Sequence, residues 1–170
     1  MVPPPGDRRL RGLPPVIDGG VTTLVLGSFP GVASLTAARY YAHPRNQFWP
    51  ILGAVLDEPL VALDYAARLA RVLAHGVGIW DVYDSCIRPG SLDGAIVEAS
   101  VNDLQRVRRL APRLRAVAFN GRTAGRCERE VRAWGVATAV LPSTSPAFAG
   151  MPAAEKLAAW RAFFATRHVV

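Results

Sequence analysis

The stretch that decides the fold is Val-Thr-Thr-Leu-Val-Leu-Gly (VTTLVLG) at residues 21–27, a β-rich and nearly apolar run that ends at a glycine. A strand buried on both faces of a parallel sheet has this composition. Three later segments share its character, at residues 77–82, 116–119 and 136–141. Helical patterns separate the four segments. This alternation predicts an α/β fold, a three-layer α/β/α sandwich around a mostly parallel four-stranded sheet.

The length and the N-terminal region indicate a simple domain organisation. The chain has 170 residues, enough for one domain with its own core. Residues 1–20 contain five prolines and four glycines without an apolar period, so we predict an irregular N-terminal arm and a single domain over residues 21–170. No apolar run approaches the ~18 residues of a membrane span. The first residues also lack the apolar core of a secretory signal. We therefore expect a cytoplasmic monomer without a membrane anchor.

The charge is basic, at a formal +7 from 20 lysine and arginine residues against 13 acidic ones. Two interpretations stay open: an arginine-rich composition reflects a GC-rich genome, or a basic surface binds a polyanion such as nucleic acid. Arginines clustered at residues 106–115 and 122–132 favour the second. Cys86 and Cys127 are far apart and the three histidines are scattered, so we expect no metal, no iron–sulfur cluster and no cofactor.

Ligand sites of parallel α/β sheets lie at the carboxyl ends of the strands. The first predicted strand ends in Gly-Ser-Phe-Pro-Gly at residues 27–31, a loop whose N–H groups can turn toward a ligand. The loop matches neither GxGxxG nor GxxxxGK[ST], so a dinucleotide or P-loop site is a poor fit. Asp81 and Asp84 lie near the end of the second strand, as substrate contacts or as loop caps. Asn120 follows the third strand, where we expect a helix N-cap.

Aromatic and amide side chains are dense in the run YYAHPRNQFW at residues 40–49. Tyr40 and Tyr41 are neighbours on an extended segment and face opposite ways, so one of them is free to stack on a ligand ring. His43 is either a turn residue or a ligand contact. Pro50 requires the next helix to begin close to it, which places Asn46 at or before the helix N-terminus.

The fourth strand is followed by PSTSPAFAG at residues 142–150, a rigid loop rich in hydroxyl groups with an apolar tip. Loops of this kind are common connectors. They can also contact phosphates through hydroxyl and N–H groups while an apolar residue enters a base stack. The second interpretation predicts a DNA-binding loop made by Ser143, Thr144, Pro146, Ala147 and Phe148.

Five phrases occur in order along the chain: GSFPG (27–31), HPRNQFW (43–49), WDV (80–82), GSLD (90–93) and LPSTSP (141–146). Together they resemble the DNA-deoxyinosine (hypoxanthine-DNA) glycosylase branch of the uracil-DNA glycosylase superfamily, over residues 21–150. A related branch has its catalytic asparagine where this chain has Phe29, and the resemblance therefore implies that Asn46 is catalytic. It also implies that Tyr41 stacks under the flipped base. The implied substrate-binding set is Gly27, Ser28, Phe29, Tyr41, His43, Asp81, Ser143 and Ser145.

The activity that the resemblance implies is that of a monofunctional DNA glycosylase. Such an enzyme flips a deaminated base out of the duplex and hydrolyses its N-glycosidic bond. Hypoxanthine is the expected base, and the expected partner is DNA that contains deaminated bases. The alternatives are a uracil- or xanthine-directed enzyme on the same scaffold, and a non-catalytic DNA-binding module in which Phe29 marks a lost site.

Overall fold

The main sheet of the computed structural model, which describes residues 8–166, contains four parallel strands. They are β2 (Thr23–Gly27), β3 (Val77–Asp81), β6 (Ala116–Asn120) and β7 (Ala137–Leu141), in the order β3-β2-β6-β7. Every residue of β2, β3 and β6 is buried, as their apolar runs predict. The prediction of a parallel four-stranded sheet is therefore confirmed, with strand ends that differ by one or two residues.

Within residues 8–166, seven α-helices connect and cover these strands: α1 (Val32–Ala37), α2 (Phe48–Leu56), α3 (Tyr65–Ala74), α4 (Gln105–Leu110), α5 (Arg122–Gly125), α6 (Glu128–Arg132) and α7 (Ala153–Thr166). The connection from β2 to β3 runs one way across the sheet, and those from β3 to β6 and from β6 to β7 run the other way. Right-handed crossovers in opposite directions place their helices on opposite faces. This gives the predicted three layers, with the change of direction between β2 and β6.

The helix at the end of the YYAHPRNQFW run begins two residues before Pro50, close to it as predicted. Helix α2 starts at Phe48, and the Asn46 side-chain oxygen accepts the Phe48 N–H at 2.9 Å just before it. Helix α7 packs against α2, with the rings of Trp160 and Phe48 edge to face at 6.1 Å. The Trp160 indole N–H also donates to the carbonyl of Pro142, at 3.0 Å. The carboxyl end of β7 is therefore fastened to the helix layer.

A second, antiparallel sheet was not predicted from the sequence. It has the order β1-β4-β5, from β1 (Leu10–Arg11), β4 (Tyr83–Ile87) and β5 (Val97–Val101). Strand β5 is exposed at every position and its pairing with β4 shifts register, so no regular apolar alternation marks it. The prediction of an irregular arm over residues 1–20 is corrected within its described part, because β1 pairs with β4 and Val16 bridges to Ile79. Residues 1–7 of that arm lie outside the described residues.

Between residues 8 and 166 the structure contains no helix with the length and apolar character that crossing a membrane requires. Within that range it also brings together no group of three or more histidine, cysteine, aspartate or glutamate side chains that could hold a metal ion.

Candidate functional site

The carboxyl ends of β2 and β3 meet at Gly27, Asp81 and Tyr41. A Cβ atom added at Gly27 would lie 2.5 Å from the Asp81 Oδ1 and 3.0 Å from the Tyr41 hydroxyl. The first distance is shorter than real Cβ contacts and the second is tighter than most of them, so only glycine fits here without displacing the carboxyl or the phenol. Three predicted substrate-binding residues therefore lie in direct contact with each other.

Asp81 is the buried carboxyl of this site. It is 4% exposed, and its Oδ2 has no hydrogen-bond partner in the structure. Burial first, and then the negative charge of Asp93, raise the pKa of Asp81 to about 7, although Arg88 works in the opposite direction. The side chain therefore titrates near neutral pH, where its neutral and ionised forms are both populated. A neutral carboxyl can donate one hydrogen bond and accept others, which a carboxylate cannot do.

Tyr41 is held in an uncommon conformation. Its φ is +54°, in the left-handed region that residues other than glycine seldom adopt, and such strain concentrates at functional sites. One face of its ring stacks on Phe48, with centroids 3.8 Å apart and planes inclined by 21°. Burial raises the pKa of Tyr41, so its hydroxyl stays protonated. Tyr40, by contrast, is 3% exposed in the core, so of the two tyrosines it is Tyr41 that lies at the site.

Asn46 lies in a tight turn with His43. The Asn46 N–H donates to the His43 carbonyl at 2.9 Å, and the His43 Nδ1 accepts the Arg45 N–H at 3.1 Å. His43 therefore has the structural role of a turn residue, whether or not it also contacts a ligand. Because the Asn46 Oδ1 already accepts the N–H of Phe48, the first residue of α2, with one lone pair, its second lone pair and the Nδ2 group are the parts that can serve chemistry.

Asn120 was expected to cap a helix, and that prediction is wrong. The N-cap of α5 is Gly121, and the Asn120 amide instead forms a pair of 3.0 Å hydrogen bonds with Thr144, one to its hydroxyl and one from its N–H. The Thr144 carbonyl accepts the N–H of Gln47, also at 3.0 Å. These contacts hold the loop after β7 beside the turn that carries Asn46. The position of Asn120 at a strand end was the only sequence signal for this role.

The loop at residues 143–148 is braced by its own hydroxyls. The Ser143 Oγ accepts the Ser145 N–H, and the Ser145 Oγ accepts the Ala147 N–H, both at 3.2 Å. Phe148 is 40% exposed at the tip, as a wedge requires. Thr144 is fully buried, so its predicted side-chain contact with DNA is corrected to an internal role. The predicted DNA contacts that remain are Ser143 and Pro146, which are half-buried, and Ala147 and Phe148, which are exposed.

Lys156 contacts the loop at residues 143–148, a role that the sequence did not predict. It is the only lysine in the chain, yet it lies on α7 with an exposed fraction of 2%. Its ammonium group donates to the carbonyl of Phe148 and lies 5.0 Å from the centroid of the Phe148 ring. The Lys156 ammonium group therefore fixes the position of the loop tip through its contacts with Phe148. Its uniqueness in an arginine-rich chain was the only signal in the sequence.

Phe29, in the loop at residues 27–31, does not have the substrate-binding side chain that was predicted. That side chain is 6% exposed, and the Arg88 guanidinium lies 5.2 Å from the centroid of its ring. Phe29 therefore contributes packing, and only its backbone can reach a substrate. The hydroxyl of Ser28 donates to the Asp93 Oδ1 at 2.7 Å, so its oxygen can still accept another hydrogen bond.

Two further sequence features are placed away from the site. Asp84 is exposed and lies 3.8 Å from the Arg11 guanidinium, which leaves Asp81 as the carboxylate of interest. The arginine-rich run also does not form one surface, because the Arg115 N–H bonds to the Thr22 carbonyl at the amino end of the sheet. Arg122, at the start of α5, lies at the opposite, carboxyl end.

Comparison with known proteins identifies the family. The model of the uracil DNA glycosylase superfamily matches residues 14–164. The chain belongs to the uracil-DNA glycosylase superfamily. This superfamily member is 39% and 38% identical, over 137 residues, to two proteins named hypoxanthine DNA glycosylase from Methanosarcina barkeri and Methanosarcina acetivorans. The match covers 81% of this chain and 87% of each relative.

A solved structure supports the same assignment of fold. The solution NMR structure of a candidate uracil DNA glycosylase from Methanosarcina acetivorans superposes on this superfamily member with a TM-score of 0.83 at 34% identity. The superposition covers 94% of this chain and 99% of the other. The resemblance carried by the five sequence phrases is thus confirmed for family and fold.

Proposed function

We propose that the protein is a monofunctional DNA glycosylase that excises hypoxanthine from DNA. The observation that carries the proposal is the buried Asp81 carboxyl, with one oxygen unpartnered, beside Gly27 and the Tyr41 ring. The two relatives named hypoxanthine DNA glycosylase support the same substrate. The strand-end position agrees with where ligands bind in open α/β sheets.

Base recognition follows from the neutral form of Asp81. Hypoxanthine presents an N1–H donor next to an O6 acceptor, and a neutral carboxyl offers the complementary acceptor and donor side by side. The Tyr41 ring, braced from behind by Phe48, supplies a flat surface on which the extruded base stacks. Uracil and xanthine carry a similar N–H and carbonyl edge, so Asp81 selects for deaminated bases as a class.

Leaving-group stabilisation uses the same contact. As the bond between C1′ and the base breaks, its electron pair moves onto the base and negative charge develops on O6. The Asp81 O–H then donates to an increasingly negative oxygen, and the contact is stronger in the transition state than in the ground state. The N–H groups of residues 27–29 are proposed as further donors to this charge.

Water activation is assigned to Asn46. Its Oδ1 has a second lone pair that can accept a hydrogen from water and direct the water oxygen at C1′. That oxygen forms the new bond to C1′ as the base departs, and the water proton ends on the released base. A purine base is a good enough leaving group for an amide to suffice in place of a carboxylate base.

The experiment uses a labelled oligonucleotide with a single deoxyinosine, followed by alkali to reveal abasic sites. Excision of hypoxanthine, compared with uracil and xanthine in the same sequence, is the expected result. Absence of excision from all three would leave a DNA-binding module without catalysis. Parallel substrates with undamaged bases are the control for non-specific cleavage.

A pair of Asn46 variants separates catalysis from helix capping. Serine caps helices about as well as asparagine, whereas alanine does not. Asn46→Ser and Asn46→Ala should both lose most excision, while their affinity for inosine-containing DNA stays close to that of the parent, because phosphate contacts and stacking supply binding. Full activity in Asn46→Ser with a loss only in Asn46→Ala would assign the side chain to helix capping, and full activity in both variants, with the fold intact, would also end the assignment.

The proposal includes a cytoplasmic, monomeric protein that works on chromosomal DNA without a metal or cofactor. Its basic net charge of +7 suits a polyanionic partner. Size-exclusion chromatography with light scattering tests the monomer. Excision in the presence of a chelator tests the independence from metal.

A further inference from the structure

The segment at residues 88–93, here the clamp turn, is fastened to the loop that follows β2. Arg88 donates to the Pro30 carbonyl at 2.6 Å and to the Gly90 carbonyl at 2.9 Å. The Ser91 Oγ accepts the N–H of Val32 at 2.9 Å. With the bond from Ser28 to Asp93, these contacts tie both ends of the clamp turn to the rim of the site. The position of the clamp turn is therefore set by the site loop itself.

The clamp turn presents a large apolar side chain to solvent. Leu92 lies between Ser91 and Asp93, the two residues that contact the site loop, and it is 60% exposed. Val32, whose backbone bonds to Ser91, is 50% exposed beside it. A single exposed leucine is ordinary on a protein surface. This one differs because its backbone is anchored on both sides next to a pocket that must receive an extruded base.

The anchoring carries an energetic cost that packing alone does not explain. Arg88 is 4% exposed, and its Nη1 is buried without a hydrogen-bond partner. A buried guanidinium with an unsatisfied nitrogen is destabilising, and the desolvation lowers the pKa of Arg88. Burial of the Arg88 guanidinium therefore destabilises the fold, while its hydrogen bonds hold the clamp turn rigidly in place. Rigidity is what an element that must push into a base stack requires.

The loop that follows β7 carries another exposed apolar side chain, Phe148, at its tip. Strands β2 and β7 have one strand, β6, between them, so their carboxyl ends are about 10 Å apart at the usual strand spacing. Consecutive bases along one strand of DNA are about 3.4 Å apart. A separation of about 10 Å corresponds to about three base steps, so a duplex that lies across this end of the sheet can reach the loops that follow both strands.

We propose that Leu92 is a second wedge, which contacts the base stack and stabilises the duplex with the lesion base extruded. The proposal rests on the proposed function in that its partner is DNA with a flipped base. Leucine is among the side chains that proteins insert between base steps. The positive net charge brings the phosphates to the surface, and the apolar tip then acts on the stack.

The test compares single-turnover excision from duplex and from single-stranded oligonucleotides with one deoxyinosine. Leu92→Ala should lower the duplex-to-single-strand rate ratio about fivefold or more, at the lower end of what stacking on one base contributes. Leu92→Met should restore most of that ratio. Val61→Ala removes an equally exposed side chain, 58% exposed on the turn between α2 and α3, and should leave the ratio unchanged.

A binding measurement keeps this result separate from the proposed activity. A 2-aminopurine placed next to the lesion fluoresces more when it is unstacked, and the signal needs no excision. The parent and Val61→Ala should raise it on duplex, and Leu92→Ala should raise it less. No excision by the parent would reject the proposed function while this signal still tests Leu92. Equal rate losses on both substrates, or an unchanged fluorescence response, would overturn the wedge.

Discussion

Replacing Asp81 by asparagine should make the protein more stable at neutral and alkaline pH. The pKa of this carboxyl rises from 3.8 to about 7 on folding, because it is buried and faces the charge of Asp93. The native state therefore binds the proton more tightly than the unfolded state. Stability is fully present below the unfolded pKa and is lost as pH rises through the folded pKa. Asparagine has nearly the same shape and cannot ionise, so this loss disappears.

The size of the effect follows from the two pKa values. A difference of about three pKa units corresponds to a penalty of about 4 kcal/mol when the carboxyl is fully ionised. Integration between pH 5 and pH 8 leaves about 2–3 kcal/mol that develops within the measurable window. The stability advantage of Asp81→Asn over the parent should grow by that amount across this range. Other titrating groups cancel in the comparison because both proteins contain them.

Activity should respond differently from stability. An asparagine amide also places a donor beside an acceptor, so Asp81→Asn should keep excision of hypoxanthine. The parent should lose activity as pH rises through about 7, whereas the variant should not show that loss. Asp81→Leu, which retains the volume but can neither donate nor accept, should lose most excision at every pH.

Urea denaturation at pH 5, 6, 7 and 8, followed by circular dichroism, measures the stability difference. Single-turnover excision over the same pH range measures the activity. The reasoning is refuted if the stability difference between Asp81→Asn and the parent is constant with pH. It is also refuted if Asp81→Leu excises hypoxanthine at the parent rate.

Four further changes test the DNA contacts and the packing at the site. DNA affinity, measured by fluorescence anisotropy, should fall steeply between low and physiological salt, because counterions are released when arginines contact phosphates. An affinity that does not change with salt would contradict nucleic acid as the partner. Phe148→Ala should reduce excision from duplex more than from single strands, and an equal loss would reassign the ring to loop packing. Lys156→Met keeps the buried volume but removes the hydrogen bond to the Phe148 carbonyl, so it should lower the ratio of duplex to single-strand excision, as Phe148→Ala does. An unchanged ratio would show that Lys156 does not position the Phe148 ring for DNA. Phe29→Asn should lower the unfolding free energy by about 3–5 kcal/mol, as for removal of other buried phenylalanines, and a urea midpoint equal to the parent's would contradict its placement in the core.

The sheet was predictable because burial on both faces leaves a strong mark on composition. The runs at β2, β3 and β6 are almost wholly apolar, and the structure buries every residue in them. The second sheet left no such mark. Strand β5 is exposed throughout, and Glu98 within it has a φ of +49°, so neither alternation nor regular backbone geometry distinguishes it from a loop.

The residues of the candidate site also divide into those that local sequence patterns predict and those whose roles depend on long-range contacts. Motif order along the chain identified the family and brought Asn46, Tyr41 and Asp81 forward as candidates, and local turn chemistry placed Asn46 at the start of α2. The roles of Asn120, Arg88 and Lys156 depend on contacts between segments far apart in the chain. Asn120 meets Thr144 across 24 residues, and Arg88 meets Pro30 across 58. No local pattern specifies such partners.

The sequence by itself determined the four parallel strands with helices between them, the family, and the residue types available at the strand ends, because these follow from burial, helix-capping rules and short-range motifs. Only the tertiary structure decided that the Phe29 ring is buried against Arg88, and that Thr144 faces inward. It alone also decided that the pKa of Asp81 is raised to about 7, so that its neutral form is populated near neutral pH. Burial and charge at one atom depend on every segment packed around it, and the fold brings those segments together from distant parts of the chain.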